Sequence, residues 1–133
     1  MRVLYICGGN VGRSQMAESL FNRLADKKDY ATSAGTHVHD KEGEELSEYV
    51  LDCMKELNYD LSSKTRKQIT PEMEKEVDKI IVMDKENLPE YIAESKKVEY
   101  WKVPDTKYAS YEFHCEVMDE IKGLVEDFIK EIE

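Results

Sequence analysis

The chain has 133 residues, 41% of them hydrophobic and 36% charged, with a net charge of −10. That composition suits one soluble domain, residues 1–133, with a real core. It excludes a membrane span, which needs roughly 20 consecutive apolar residues, and the acidity argues against nucleic acid or anionic membranes as partners. The three cysteines are an odd number, and the apolar start is cut short by glycine. These features predict a cytoplasmic chain without a disulfide framework or signal peptide, and we expect a monomer.

In chain order, Val3–Ile6 reads as a short buried strand. Gln15–Ala25 follows as an amphipathic helix with Met16, Leu20, Phe21 and Leu24 on its apolar face. Tyr30–Ala34 is a second strand closed by Gly35, and the polar stretch Thr36–Gly43, with His37 and His39, is a loop. Leu46–Leu57 sets Leu46, Val50, Cys53, Met54 and Leu57 at helical spacing, and Asn58 suits the end of that helix. Asp60–Ile69 is irregular. Thr70-Pro71-Glu72-Met73 starts a helix, with a cap residue, a first-position proline and an acid. Lys79–Asp84 is the clearest strand, apolar enough to be covered on both faces. A helix over Lys85–Ser95, a strand at Val98–Trp101 and a long helix over Tyr111–Ile132 complete the chain. The long helix carries Val117, Met118, Ile121, Leu124, Val125, Phe128, Ile129 and Ile132 as its buried stripe. Strands separated by helices predict an α/β fold with a parallel sheet and right-handed crossovers; we expect four strands flanked by helices, in the flavodoxin-like order 2-1-3-4. Sites in such sheets lie at the carboxyl ends of the strands.

The first strand ends at such a place, on Cys7-Gly8-Gly9-Asn10-Val11-Gly12-Arg13-Ser14. A loop between a strand's carboxyl end and a helix's amino end gathers backbone N–H groups and the positive helix dipole, and both favour an anion. The same field, with the Arg13 guanidinium, favours the thiolate of Cys7 as a nucleophile. Ser14 can donate its hydroxyl to the sulfur. Arg13 can grip two oxygens of a tetrahedral oxyanion with its planar fork. Gly8, Gly9 and Gly12 let the N–H groups turn inward, and Asn10 tolerates left-handed backbone and can brace the loop. A Walker nucleotide loop is excluded because its Gly-Lys-Ser/Thr is absent, and no second cysteine stands close enough for a thioredoxin-type pair. His37, His39 and His114 lack a set of metal-ligand spacings, so no metal and no cofactor are expected.

Cys7–Ser14 followed by Gln15-Met16-Ala17-Glu18 resembles the low-molecular-weight protein tyrosine phosphatases and the related thioredoxin-coupled arsenate reductases. Ser33-Ala34-Gly35-Thr36, the strand end Val82-Met83-Asp84 and the stretch Trp101–Asp105 extend the resemblance along almost the whole chain. It implies a phosphatase in which Cys7 attacks phosphorus while Arg13 and the loop, including Gly8, Gly9, Asn10, Val11, Gly12 and Ser14, hold the oxygens. It also implies an aspartate near the last helix as acid and then base, and Asp105 is the positional match. The usual Asp-Pro is here Asp105-Thr106, with Pro104 before the acid.

The resemblance further implies that an aliphatic residue at Val11 goes with phosphotyrosine, where threonine goes with phosphoarginine. The expected substrate is therefore a phosphotyrosyl protein or a small aryl phosphate. Tyr108 and Tyr111 are candidates for an aromatic wall, and His37 and His39 for contacts in the loop that lines the cleft. Many relatives carry a cysteine where this chain has Gly12, so a disulfide shielding Cys7 is absent. Arsenate reductases of this architecture need a cysteine pair near Met83–Tyr91, and that stretch has none. Cys53 is expected in the core, and Cys115 is a candidate resolving thiol near the start of the last helix. Arsenate reduction and a catalytically weak oxyanion-binding regulator stand as the alternatives to a phosphatase.

Overall fold

A computed structural model describes Met1–Glu133. Four parallel strands, β1 (Arg2–Cys7), β2 (Tyr30–Gly35), β3 (Lys79–Val82) and β4 (Val98–Tyr100), form one sheet in the order β2-β1-β3-β4. This is the expected order 2-1-3-4, and the parallel pairing follows from the alternation of strands and helices. Around the sheet lie α1 (Arg13–Leu24), α2 (Glu48–Lys55), α3 (Pro71–Glu76), α4 (Glu90–Ala93) and α5 (Tyr111–Ile132).

Alternation along β1 divides the core. Val3 and Tyr5 point into a large cluster built with Met16, Leu20 and Phe21 of α1, Cys53 and Met54 of α2, and Ile121, Val125 and Phe128 of α5. Leu4 and Ile6 point the other way, to Ile69, Val77 and Ile92. β1 is therefore the covered central strand, and its carboxyl end at Cys7 opens between its two neighbours. Strand β2 ends at Gly35 beside Cys7, and β3 ends at Val82, so that Met83 and Asp84 leave the sheet towards the same point.

Three expectations need correction. The helix read over Lys85–Ser95 is only Glu90–Ala93. Proline at position 89 drives Leu88 away from helical backbone, and Asn87 takes a left-handed φ of 56°, so the preceding residues form a turn. The helix read over Leu46–Leu57 is Glu48–Lys55, although Asn58 does close it with a φ of 64°. Leu24 shares the apolar face of α1 but sits in its last turn, and is 41% exposed. The Thr36–Gly43 loop contains a single 3-10 turn at His39–Lys41. No helix is long and apolar enough to cross a membrane.

Candidate active site

The Cys7–Ser14 loop turns its carbonyls outward. Cys7 O accepts from Thr36 N at 3.0 Å, Gly8 O from His37 N at 2.9 Å, and Gly9 O from Arg66 Nε at 3.0 Å. Asn10 O accepts from the Gln15 amide at 3.4 Å. The N–H groups from Gly8 through Ser14 have no acceptor in the protein. A run of backbone donors left open beside a helix start is a concave anion nest. Asn10, fully buried with a φ of 52°, makes the reversal. Its Nδ2 donates to Ser14 Oγ at 2.8 Å and Ser33 Oγ at 3.0 Å, and its Oδ1 accepts from Gln15 Nε2 and Lys67 N, both at 2.9 Å. Ser33 Oγ donates to buried Glu18 at 2.9 Å, and Lys64 closes the chain on Glu18 at 3.1 Å. The loop thus hangs on a buried polar network in which one residue serves four bonds.

At the floor of the nest, Cys7 Sγ lies 2.9 Å from Ser14 Oγ. Since Asn10 Nδ2 already donates to that oxygen, the hydroxyl proton is free for the sulfur. Arg13 is buried, with its Nη1 donating to the carbonyls of Met83 at 3.0 Å and Val103 at 3.1 Å, and its Nη2 to Asp84 Oδ2 at 2.9 Å. These contacts fix the plane of the guanidinium and leave its Nε edge for a ligand. Asp105 stands 3.8 Å from Arg13 Nη2, with its side chain 60% exposed and its Oδ1 accepting from Lys107 N at 3.0 Å. A carboxyl at the mouth of an anion nest can trade protons with a bound oxyanion and with water.

The nest opens into a cleft of about 930 Å³. Every residue of the predicted loop that lines it, Cys7 to Arg13 except Asn10, does so with Asp105 and Tyr108. Asn10 and Ser14 are buried behind the wall. Tyr108 is 96% exposed with a φ of 65°. Of the other candidates, His37 lines the cleft, and its ring nitrogen meets that of His39 at 3.1 Å. Tyr111 does not line it. Its hydroxyl donates to Glu56 at 2.8 Å, a bond that holds the phenol proton on and raises the group above the ordinary tyrosine range. Tyr49 takes that place in the wall, with its ring 5.7 Å from Tyr111 and 5.3 Å from His114. Cys115 does not line the cleft either. It packs against the core beside Cys53, whose thiol burial pushes up to about 12.

Sequence reasoning missed Asp84, Tyr49 and Arg66 as cleft residues. For Asp84 a signal existed, because a polar residue closing an apolar strand sits at the sheet's carboxyl edge. Tyr49 and Arg66 gave none, lying on a helix start and in an irregular stretch. No cluster of three or more His, Cys, Asp or Glu side chains capable of holding a metal is formed.

A family model described as low molecular weight phosphotyrosine protein phosphatase matches residues 2–133. Among curated proteins, the chain is similar to the arsenate reductase of Staphylococcus aureus (strain N315), 28% identical over 128 residues that cover 95% of this chain and 94% of that protein. Among solved structures it is similar to the low molecular weight protein tyrosine phosphatase from T. tengcongensis. That match has a TM-score of 0.88 and 26% identity, covering 98% of this chain and 99% of the other. It is also similar to an arsenate reductase in the phosphate binding state, with a TM-score of 0.83 and 27% identity, covering 99% of this chain and 98% of the other. With a model match over nearly its whole length, the chain belongs to the low molecular weight phosphotyrosine protein phosphatase family.

Proposed function

We propose that the protein hydrolyses phosphomonoesters, with phosphotyrosine in proteins or small aryl phosphates as substrates, through a cysteinyl-phosphate on Cys7. The observation that carries this reading is the open run of N–H groups from Gly8 through Ser14 around a sulfur that faces a hydroxyl at 2.9 Å. Three phosphoryl oxygens need donors that gain strength as charge develops, and a nest fixed by buried hydrogen bonds supplies them without reorganisation. In the first step a Cys7 S–P bond forms as the P–O bond to the phenol breaks, and the Asp105 carboxyl gives its proton to the departing oxygen. In the second, water loses a proton to Asp105 as its oxygen bonds phosphorus. The S–P electron pair returns to sulfur, steadied by the Ser14 hydroxyl. Arg13 spans the equatorial oxygens with the edge that Met83, Val103 and Asp84 leave free.

Stopped-flow hydrolysis of an aryl phosphate tests it. The wild type should give a burst of phenol, and Cys7→Ser none. Asp105→Asn should turn over about 10²–10⁴-fold more slowly, the usual worth of a positioned acid–base group. Wild-type turnover in the asparagine variant would remove Asp105 from this role.

Similarity to arsenate reductases favours a second reading, reduction of arsenate in the same nest. There a second thiol must attack Cys7 Sγ, forming a disulfide while the S–As electron pair passes to arsenic and releases arsenite. Cys53 and Cys115 lie away from the cleft, so that thiol would come from a separate reductant. Arsenate-dependent oxidation of an added thiol, with no phenol burst, would select this reading over the first.

A further inference from the structure

Arg66 is the one arginine of the cleft wall besides Arg13, and it has no carboxylate within 4.0 Å. Its Nε donates to Gly9 O at 3.0 Å, and its Nη2 would stand 3.2 Å from a Cβ placed on Gly9. The guanidinium therefore lies against Gly9 at the nest's rim. Its backbone is pinned on both sides, N donating to Glu44 O at 3.0 Å and O accepting from Gly43 N at 2.9 Å. No acceptor is within hydrogen-bond distance of its Nη atoms. It is a half-buried, pre-positioned guanidinium with unpartnered donors, in a chain where carboxylates outnumber cations 29 to 19. Ordering such a side chain costs rotamer entropy, and an anion that completes its hydrogen bonds recovers more than that.

Of the charged groups in the cleft wall, Asp84 and Asp105 lie within 4.0 Å of Arg13, whereas Lys41, Glu48, Glu86 and Lys107 form no ion pair, and the backbone of Arg66 runs beside Gly43 and Glu44, which follow Lys41. Near 930 Å³, the cleft holds far more than one phosphorylated side chain, so groups flanking the phosphate must lie along these walls.

We propose that Arg66 is a specificity-determining residue that binds a second anionic group of the substrate, a carboxylate beside the phosphorylated residue of a peptide. The proposal rests on the phosphomonoesterase reading and names its substrate class: phosphotyrosine next to glutamate or aspartate. An anionic small molecule bearing both a phosphate and a carboxylate offers the same chemistry, and the test separates the two sources.

Paired phosphotyrosine peptides carrying Glu or Gln on either side of the phosphorylated residue are compared with carboxyphenyl phosphate and plain phenyl phosphate. For each pair the quantity read is the ratio of kcat/KM with and without the carboxylate. The ratio cancels any uniform effect of the Arg66–Gly9 contact on the nest. Wild type should prefer the acidic peptide by about tenfold, the size of one solvent-screened charge-assisted hydrogen bond. The preference should shrink as salt rises, fall towards unity in Arg66→Gln and survive in part in Arg66→Lys. A ratio of one in wild type, or one unchanged in Arg66→Gln, overturns the proposal. A preference seen only between the two small phosphates overturns the peptide assignment. Calorimetric binding of the same peptides to Cys7→Ser keeps the questions apart. A Glu-over-Gln preference that depends on Arg66 without turnover in wild type refutes hydrolysis and leaves the Arg66 site standing.

Discussion

Gly35, at the end of β2, is where the loop's shape depends on one missing atom. A Cβ there would stand 2.6 Å from Gly8 O, 2.6 Å from Val38 Cγ2 and 2.9 Å from Asn10 N. Ordinary contact begins near 3.4 Å, so Gly35→Ala creates overlaps of about 0.8 Å against Gly8 O and the Val38 side chain and about 0.5 Å against Asn10 N, two of these three being backbone atoms of the nest. Residue 35 cannot withdraw, because its N–H donates to Lys67 O at 2.8 Å and its carbonyl accepts from Ile69 N at 2.9 Å. The nest has to yield instead. Overpacking of this kind costs about 1–3 kcal/mol of stability, and a displacement on the order of 1 Å at reacting groups costs about 10²-fold in rate. The assay is kcat/KM on an aryl phosphate with inorganic phosphate as competitor, beside a urea unfolding curve and near-ultraviolet circular dichroism. The expected result is a folded variant, less stable by the stated amount, with kcat/KM reduced about 10²-fold and phosphate bound more weakly. A folded Gly35→Ala protein with wild-type kcat/KM and phosphate affinity refutes the claim that close backbone packing against β2 shapes the nest.

Gly123 is the contrasting glycine, within α5 and with nothing inside 4 Å of its missing Cβ; Gly123→Ala should raise stability by about 0.5–1 kcal/mol in urea unfolding. Asn10→Ala removes four side-chain hydrogen bonds at a buried position with left-handed backbone. It should cost on the order of 3 kcal/mol or more and abolish phosphate protection against thermal unfolding. Glu74 accepts from Ser95 Oγ at 2.9 Å and pairs with Lys97 at 3.1 Å, which holds its carboxyl below the ordinary 4.5. A depressed carboxylate contributes stability above its ordinary value and loses it as pH falls through the folded one. Glu74→Gln should therefore be less stable than wild type at neutral pH, and the gap in urea midpoints should close in acid below 4.5.

The two arginines of the cleft illustrate a division of labour that charge alone does not reveal. Arg13 is neutralised by Asp84 at 2.9 Å and faces a second carboxylate at 3.8 Å, so the field at the nest is set by directed N–H groups more than by net charge. That is the arrangement an acidic chain requires, because long-range attraction is unavailable to it.

Local rules were sufficient for much of this molecule. The apolar runs at Val3–Ile6 and Lys79–Val82, the period of α5, and the left-handed closure at Asn58 are all dictated within a few residues. The Cys7–Ser14 loop is recognisable in the same way, because its thiol, arginine and glycines lie in one short segment. Where a neighbour in sequence overrode propensity, the reading slipped: Pro89 shortened a helix that composition alone extended back to Lys85.

Everything that makes the loop a walled cleft came from residues far apart in the chain. Asp84 reaches Arg13 across 71 positions, Arg66 covers Gly9 across 57, and Ser33 joins Asn10 across 23. Tyr49 replaces Tyr111 in the wall only because α2 packs on α5. Such pairings depend on how parallel strands bring their carboxyl ends to one edge, and no short-range periodicity encodes them. The residues of the nest are legible in the sequence alone; the tertiary structure decided the shape they are held in and what stands around them, because both are made by contacts whose partners are distant along the chain.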